Sequence, residues 1–200
     1  MRVFRYIGIS VVLALGVWWV WRAHFNGVEA RVEPGRLERV AAAQKGFIVA
    51  HGFNPSICFL VDMGLPSGKN RFFVYDLQKD SVLYAGLVAH GCGNSKFAAT
   101  PGFSNVDGSS CTSLGRYRVG YAYQGQFGRS YKLYGLDSTN SNAFARSVVL
   151  HPYGWVPDHE TYPVPLCNSR GCPMVSPVFL KTLGTLIDGS SKPVCLYIFN

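Results

Sequence analysis

Short apolar runs, separated by glycine, proline and serine, dominate the chain after residue 54. Seven runs combine β-branched and aromatic residues over strand-like lengths. They lie at 57–62, 71–77, 82–90, 116–123, 130–136, 147–151 and 194–199. Two other windows, 35–50 and 176–187, repeat apolar residues at three- and four-residue steps and predict helices. The pattern therefore predicts a mainly β domain with two peripheral helices, and loops at 91–113 and 153–168.

The N-terminal segment has a different pattern, an uncharged run at 6–21 that follows Arg2 and Arg5. A helix of this run extends about 24 Å, somewhat less than the roughly 30 Å hydrocarbon core of a bilayer. Three tryptophans stand near its far end, where indole rings favour the membrane interface: Trp18, Trp19 and Trp21. We therefore expect an N-terminal membrane helix.

A cleaved signal peptide is the competing interpretation, because 28–30 offers a rough small-x-small cleavage site. Both interpretations keep the arginine-flanked end in the cytoplasm and export the chain after about residue 30. We accordingly divide the chain into an anchor or signal segment at 1–30, a helical lead-in at 31–53 and a main domain at 54–200.

Composition narrows the classes of function. The formal net charge is +8, but lysine and arginine are scattered, and the sequence contains no nucleic-acid-binding motif. The charge fits either a soluble basic surface or attraction to an anionic wall polymer or lipid headgroup. The six cysteines include no Cys-x-x-Cys pair, which argues against a thioredoxin-like or zinc-ribbon site. Their spacing leaves disulfide pairing open.

Cys172 and His151 are the candidate catalytic pair. Cys172 follows Gly171 shortly before a predicted helix, and His151 ends the apolar run 147–151. A thiol attacks as the thiolate, so a cysteine nucleophile needs a base or a cation near it. His151 is the candidate base. The structural alternative is a Cys172 that is merely buried, or bonded to Cys167.

The order His151, then Ser169-x-Gly171-Cys172, resembles the catalytic signature of the L,D-transpeptidase family. Four upstream blocks resemble its murein L,D-transpeptidase-like branch: 71–77, 88–91, 103–105 and 112–115. This resemblance implies a β-sandwich-like catalytic fold in which the cysteine and the histidine meet at a cleft. It also implies a bacterial envelope protein on the periplasmic side, either anchored in the inner membrane or secreted after signal cleavage.

The resemblance further implies a mechanism. Cys172 would attack a tetrapeptide stem of peptidoglycan, and His151, oriented by a backbone carbonyl, would carry the proton. The resulting thioester would pass to an amine, giving a 3→3 cross-link, or to water. Backbone N–H groups at Gly171 and Cys172 would hold the oxyanion, with Ser169 and Arg170 in support. The family needs no metal or organic cofactor. The implied partners are stem peptides and, through the N-terminal segment, the membrane, but not nucleic acid.

Four more residues are candidates for the substrate groove: His90, Ser110, Ser113 and Tyr117. The sequence also departs from the family pattern, because Arg170 and Met174 stand where many members carry His and either Arg or Asn. Two other functions stay open: an L,D-carboxypeptidase or other cell-wall thiol peptidase, and a non-catalytic cell-wall-binding module. In many cell-wall Cys/His hydrolases the cysteine comes first, and here the histidine does.

Overall fold

The computed structural model describes residues 33–200. The predicted membrane helix or signal segment at 6–21 lies outside the described residues. Within residues 33–200, no helix combines the length and hydropathy needed to cross a bilayer. The N-terminal anchor therefore stays a prediction.

Two helices and eight strands make up this part of the chain. The helices are α1 (Arg36–Ala50) and α2 (Pro177–Asp188). The strands are β1 (Ile57–Asp62), β2 (Phe72–Asp76), β3 (Ser81–Gly86), β4 (Gly115–Gly125), β5 (Gly128–Gly135), β6 (Val149–Pro152), β7 (Met174–Val175) and β8 (Cys195–Phe199). The prediction of a mainly β domain with two helices is confirmed.

All eight strands belong to one mixed sheet, in the order β3-β2-β1-β8-β4-β5-β6-β7. Most neighbours are antiparallel, but β1 runs parallel to β8 and β6 runs parallel to β7. In the second of these pairs His151 lies opposite Met174. This register brings the end of β6 beside the chain that has just passed Cys172.

The two edges of the sheet approach each other. One edge, β3, ends at Gly86, and only three residues later Ala89 bridges to Met174 in β7, the other edge. The Ala89 N–H donates to the Met174 carbonyl at 2.8 Å. Because three residues span at most about 10 Å, the sheet curls until its edges lie close together. The expected β-sandwich is therefore corrected to a single curled sheet.

Alternate strand residues pack into two hydrophobic clusters, as the two-residue period of a strand requires. Phe59 and Val61 of β1 share one cluster with Leu183 of α2. Cys58 and Leu60 of the same strand share the other with α1. Each helix thus covers one face of the sheet, and both faces of its central strands are buried.

Two differences from the predicted elements bear on the site. The predicted strand at 82–90 ends at Gly86, because residues 87–90 leave β3 and run to the opposite edge. The two-residue strand β7 is too short to show a period and was not predicted. Both segments lie next to the loop that carries Cys172.

The start of α2 is well defined. Ser176 accepts a hydrogen bond from the Phe179 N–H at 3.0 Å, and Pro177 occupies the first turn. A serine N-cap followed by proline is a strong helix start. The cap fixes the point at which the chain leaves β7, four residues after Cys172.

Candidate active site

Cys172 lies in the loop before β7, against the segment that leads into β6. The Val149 N–H points to its sulfur at 3.5 Å, and the Ser147 carbonyl oxygen is 3.8 Å from the same atom. Ser147 has a positive φ of 56°, a conformation that few non-glycine residues adopt. All six cysteines are free thiols, so Cys172 is not bonded to Cys167.

His151 occupies the end of β6. Its Nδ1 is 3.1 Å from the Pro152 carbonyl oxygen. A carbonyl only accepts hydrogen bonds, so Nδ1 carries the proton and Nε2 has the free lone pair. The imidazole also stacks on the Phe127 ring, with centroids 4.6 Å apart. A backbone acceptor and an aromatic ring therefore fix both the tautomer and the plane of the imidazole.

Cys172 and His151 line the same open cavity, which has a volume of about 830 Å³. Ser169 and Arg170 line it too, and Lys96 lies in its wall. The side chains of Lys96 and Arg170 are exposed. None of the described lining residues is acidic. The cavity is therefore an open groove with a positive wall.

Burial favours the neutral forms of both Cys172 and His151. It raises the pKa of the Cys172 thiol, an effect opposed by the Val149 N–H and by the charges of Arg146 and Lys132. Burial lowers the pKa of His151, opposed by the Pro152 carbonyl. Desolvation disfavours the charged form in both cases. The free protein thus holds a neutral thiol and a neutral imidazole in the same cavity.

The turn before the thiol depends on Ser169 and Gly171. Gly171 has a φ of 114°, and a Cβ at this position would lie 2.7 Å from the Cys111 carbonyl oxygen. The Gly171 N–H donates to Ser169 Oγ at 3.0 Å. That N–H is engaged within the turn, and its role in holding an oxyanion stays a prediction. No hydrogen bond within residues 33–200 uses the Cys172 N–H, so this group is available.

His90 is fully buried and does not line the groove, contrary to the prediction. Arg71 Nη2 lies 2.8 Å from its Nδ1, and its Nε2 lies 3.1 Å from the Ala98 carbonyl oxygen. Asn168 binds the same residue, because its Oδ1 accepts a hydrogen bond from the Ala98 N–H at 2.7 Å. His90 therefore supports the 95–98 wall of the groove from behind.

Ser113 and Tyr117 are also buried, so their predicted place in the groove is wrong. The Tyr117 hydroxyl donates to the Ser113 carbonyl at 2.7 Å, deep in the domain. Ser110 is partly exposed but is not among the residues that line the cavity around Cys172. Sequence blocks that are typical of the family here belong to its supporting structure.

Sequence reasoning missed two residues of the site. Phe127 lies at the tip of the β4–β5 hairpin and stacks on His151. Arg146 precedes Ser147, and its guanidinium binds the loop on the far side of Gly171. The one available signal for Phe127 was its position in a Gly-Gln-Phe-Gly turn. Arg146 has no local signal at all.

No group of three or more metal-ligating side chains occurs within residues 33–200. A thiol, an oriented imidazole and an available N–H are the parts of a cysteine acyl-transfer site. A model of the L,D-transpeptidase catalytic domain matches residues 36–199. The chain belongs to this family of cysteine L,D-transpeptidases, which act on peptidoglycan stem peptides in the cell envelope.

Several solved structures resemble the chain at low sequence identity. The helical cell shape determining protein Pgp2 from Campylobacter jejuni is 13% identical, with a TM-score of 0.46, over 78% of this chain and 55% of that one. An L,D-transpeptidase from Xylanimonas cellulosilytica is 13% identical, with a TM-score of 0.41, over 78% of this chain and 69% of that one. A mutant L,D-transpeptidase from Enterococcus faecium is 13% identical, with a TM-score of 0.43, over 73% of this chain and 52% of that one. The chain thus spans about half the length of two of these three. No curated protein sequence matches it significantly.

Proposed function

We propose that this chain is a peptidoglycan L,D-transpeptidase that uses Cys172 as nucleophile and His151 as base. The observation that carries the proposal is the placement of both groups in one open cavity, with the Nδ1 proton of His151 held by Pro152. This tautomer leaves Nε2 free to accept the thiol proton.

The chemistry then proceeds in two acyl transfers. His151 Nε2 takes the proton of Cys172, and the sulfur attacks the carbonyl carbon between the third and fourth residues of a tetrapeptide stem. The Cys172 N–H stabilises the oxyanion. The intermediate expels the terminal D-alanine amine, which receives the proton from the imidazolium, and a thioester remains. The amine of a second stem attacks this thioester, giving a 3→3 cross-link and restoring the thiol.

The charge of the groove fits this donor. A tetrapeptide stem ends in a carboxylate close to the bond that breaks. Lys96 and Arg170 supply exposed positive charge in the wall of the groove, and no described acidic residue opposes it. Guanidinium groups bind carboxylates through paired hydrogen bonds, so Arg170 is the better candidate for this contact.

Intact-mass spectrometry of the full chain, incubated with disaccharide-tetrapeptide, tests the proposal. We expect an acyl adduct on Cys172 and released D-alanine, and loss of both in Cys172→Ala. Cys167→Ala is the matched control, because Cys167 is also a free thiol in the same groove. It should keep both products. Turnover that persists in Cys172→Ala would refute the mechanism.

The products of the same reaction decide between the remaining functions. A dimer with a 3→3 link identifies a transpeptidase, whereas tripeptide without dimer identifies an L,D-carboxypeptidase. Binding of the muropeptide without any Cys172 adduct would identify a wall-binding module. Fractionation of cells that express the full chain tests the proposed place in the envelope, anchored by 6–21 or released after cleavage near 28–30.

A further inference from the structure

The Arg146 guanidinium binds the 104–113 segment, which lies beside the loop that carries Cys172. Its Nη2 donates to the Cys111 carbonyl at 2.8 Å and to Ser109 Oγ at 3.2 Å. Its Nη1 donates to the Ser104 carbonyl at 2.9 Å and to Ser113 Oγ. One guanidinium therefore binds four residues of the 104–113 segment.

The charge of Arg146 has no carboxylate partner. None of the ion pairs within residues 33–200 includes it, whereas Arg116 pairs with Asp137 and Arg129 with Asp188. All four acceptors of Arg146 are neutral oxygens. A partly buried cation without a counter-ion is costly unless a negative charge forms nearby.

The group that becomes negative during the proposed reaction is Cys172. Arg146 is covalently next to Ser147, whose carbonyl contacts the sulfur, and Arg146 Nη2 lies 3.3 Å from the position of a Cβ on Gly171. The other titratable or charged groups around the thiol are His151 on β6, Lys132 on β5, Tyr117 on β4 and Arg170 on the same loop.

We propose that Arg146 is a positioning residue for acyl transfer: it braces the 104–113 segment that lies beside Gly171, and its unpaired charge stabilises the thiolate of Cys172. This inference rests on the proposed function. When His151 removes the thiol proton, a negative sulfur and an imidazolium form. The Arg146 charge then offsets the burial that opposes the negative sulfur, in line with its effect on the pKa of Cys172.

The pH dependence of Cys172 alkylation by iodoacetamide tests this inference without any peptidoglycan substrate. Peptide mapping by mass spectrometry isolates the Cys172 adduct from those of the other five thiols. In Arg146→Gln of the full chain we expect the thiol pKa to rise by about 1 unit, which lowers the alkylation rate below that pKa about tenfold. A purely structural brace would leave the midpoint unchanged.

Two further variants distinguish the effect of the Arg146 charge on the Cys172 thiol from an effect of lost stability. Arg146→Lys keeps the charge but loses most of the brace, so it should retain a midpoint near that of the wild type even if stability falls. Arg118→Gln removes an exposed cation that lies over the Tyr134 ring, 4.3 Å from its centroid, and should change nothing. Circular dichroism confirms that each variant is folded.

Two results would overturn the inference. One is an Arg146→Gln midpoint equal to that of the wild type. The other is an Arg146→Lys midpoint shifted as far as the glutamine variant, and this arm decides the question if Arg146→Gln does not fold. Because alkylation needs only the thiol, failure of the muropeptide assay would leave this comparison intact.

Discussion

Acid should destabilise this fold through His90, because the structure holds that imidazole neutral. Arg71 can only donate hydrogen bonds, so His90 Nδ1 must accept and Nε2–H must donate to the Ala98 carbonyl. A proton on Nδ1 would place two donors face to face. Burial and the Arg71 charge lower the pKa of His90 from 6.5 to about 4, against a smaller opposing effect of Ala98.

The sign of the effect follows from the order of protonation. As the pH falls, unfolded chains bind this proton near pH 6.5, while the folded protein does not bind it until about pH 4. Stability from His90 is therefore complete above pH 6.5 and is lost as the pH falls toward 4. At about 1.4 kcal/mol per pKa unit, the loss reaches up to about 3 kcal/mol.

Urea unfolding of the full chain and of His90→Gln, between about pH 7 and about pH 4, measures this loss. Glutamine does not titrate, and both proteins share every carboxylate, so the difference between their unfolding free energies isolates His90. We expect the wild type to be more stable near neutrality and its advantage to shrink by up to about 3 kcal/mol on acidification. A constant difference across this range would refute the assigned tautomer and contacts.

Three other substitutions test the packing around the site. Gly171→Ala should lower the free energy of unfolding by about 1–3 kcal/mol and slow alkylation of the Cys172 thiol, because its φ of 114° and the nearby Cys111 carbonyl leave no room for a Cβ. An unchanged urea midpoint and an unchanged alkylation rate would contradict this. Ser176→Ala removes the cap of α2 and should cost about 1 kcal/mol in urea; a neutral result would mean that the cap is dispensable. Leu183→Ala should cost about 2–5 kcal/mol, since Leu183 is fully buried, whereas the exposed Val178→Ala in the same helix should cost far less; equal losses would contradict the assigned core.

The helices and all strands but β7 could be predicted because each covers several residues with a recognisable pattern, a helical period or an apolar run of strand length. In β1, Cys58 and Leu60 face one cluster while Phe59 and Val61 face the other, which reads in the sequence as a continuous apolar run. Closure of the sheet could not be predicted in this way. It depends on the bridge between Ala89 and Met174, two residues 85 positions apart whose pairing leaves no local period.

The residues of the candidate site differ in the same way: some belong to short sequence motifs, and others are defined only by contacts between distant parts of the chain. Cys172 and His151 are recognisable because their chemistry lies in short motifs, and the structure brings both to one groove. Arg146 is recognisable only from contacts with residues that lie far away in sequence. His90 was misplaced for the converse reason, since a motif beside a glycine shows that a residue matters but not which way its side chain faces.

The neutral forms of Cys172 and His151 in the free protein bear on how the groove would react. Burial raises the pKa of the Cys172 thiol and lowers that of the His151 imidazole, so each charged form alone is disfavoured. In the proposed reaction, transfer of the proton would create both charges together in the same groove, where opposite charges attract one another. Under the proposed mechanism, the thiolate therefore forms when the attack occurs rather than in the free protein. Since the thiolate is also the form that oxidants attack, the raised pKa of the Cys172 thiol slows oxidation of this cysteine in an open groove.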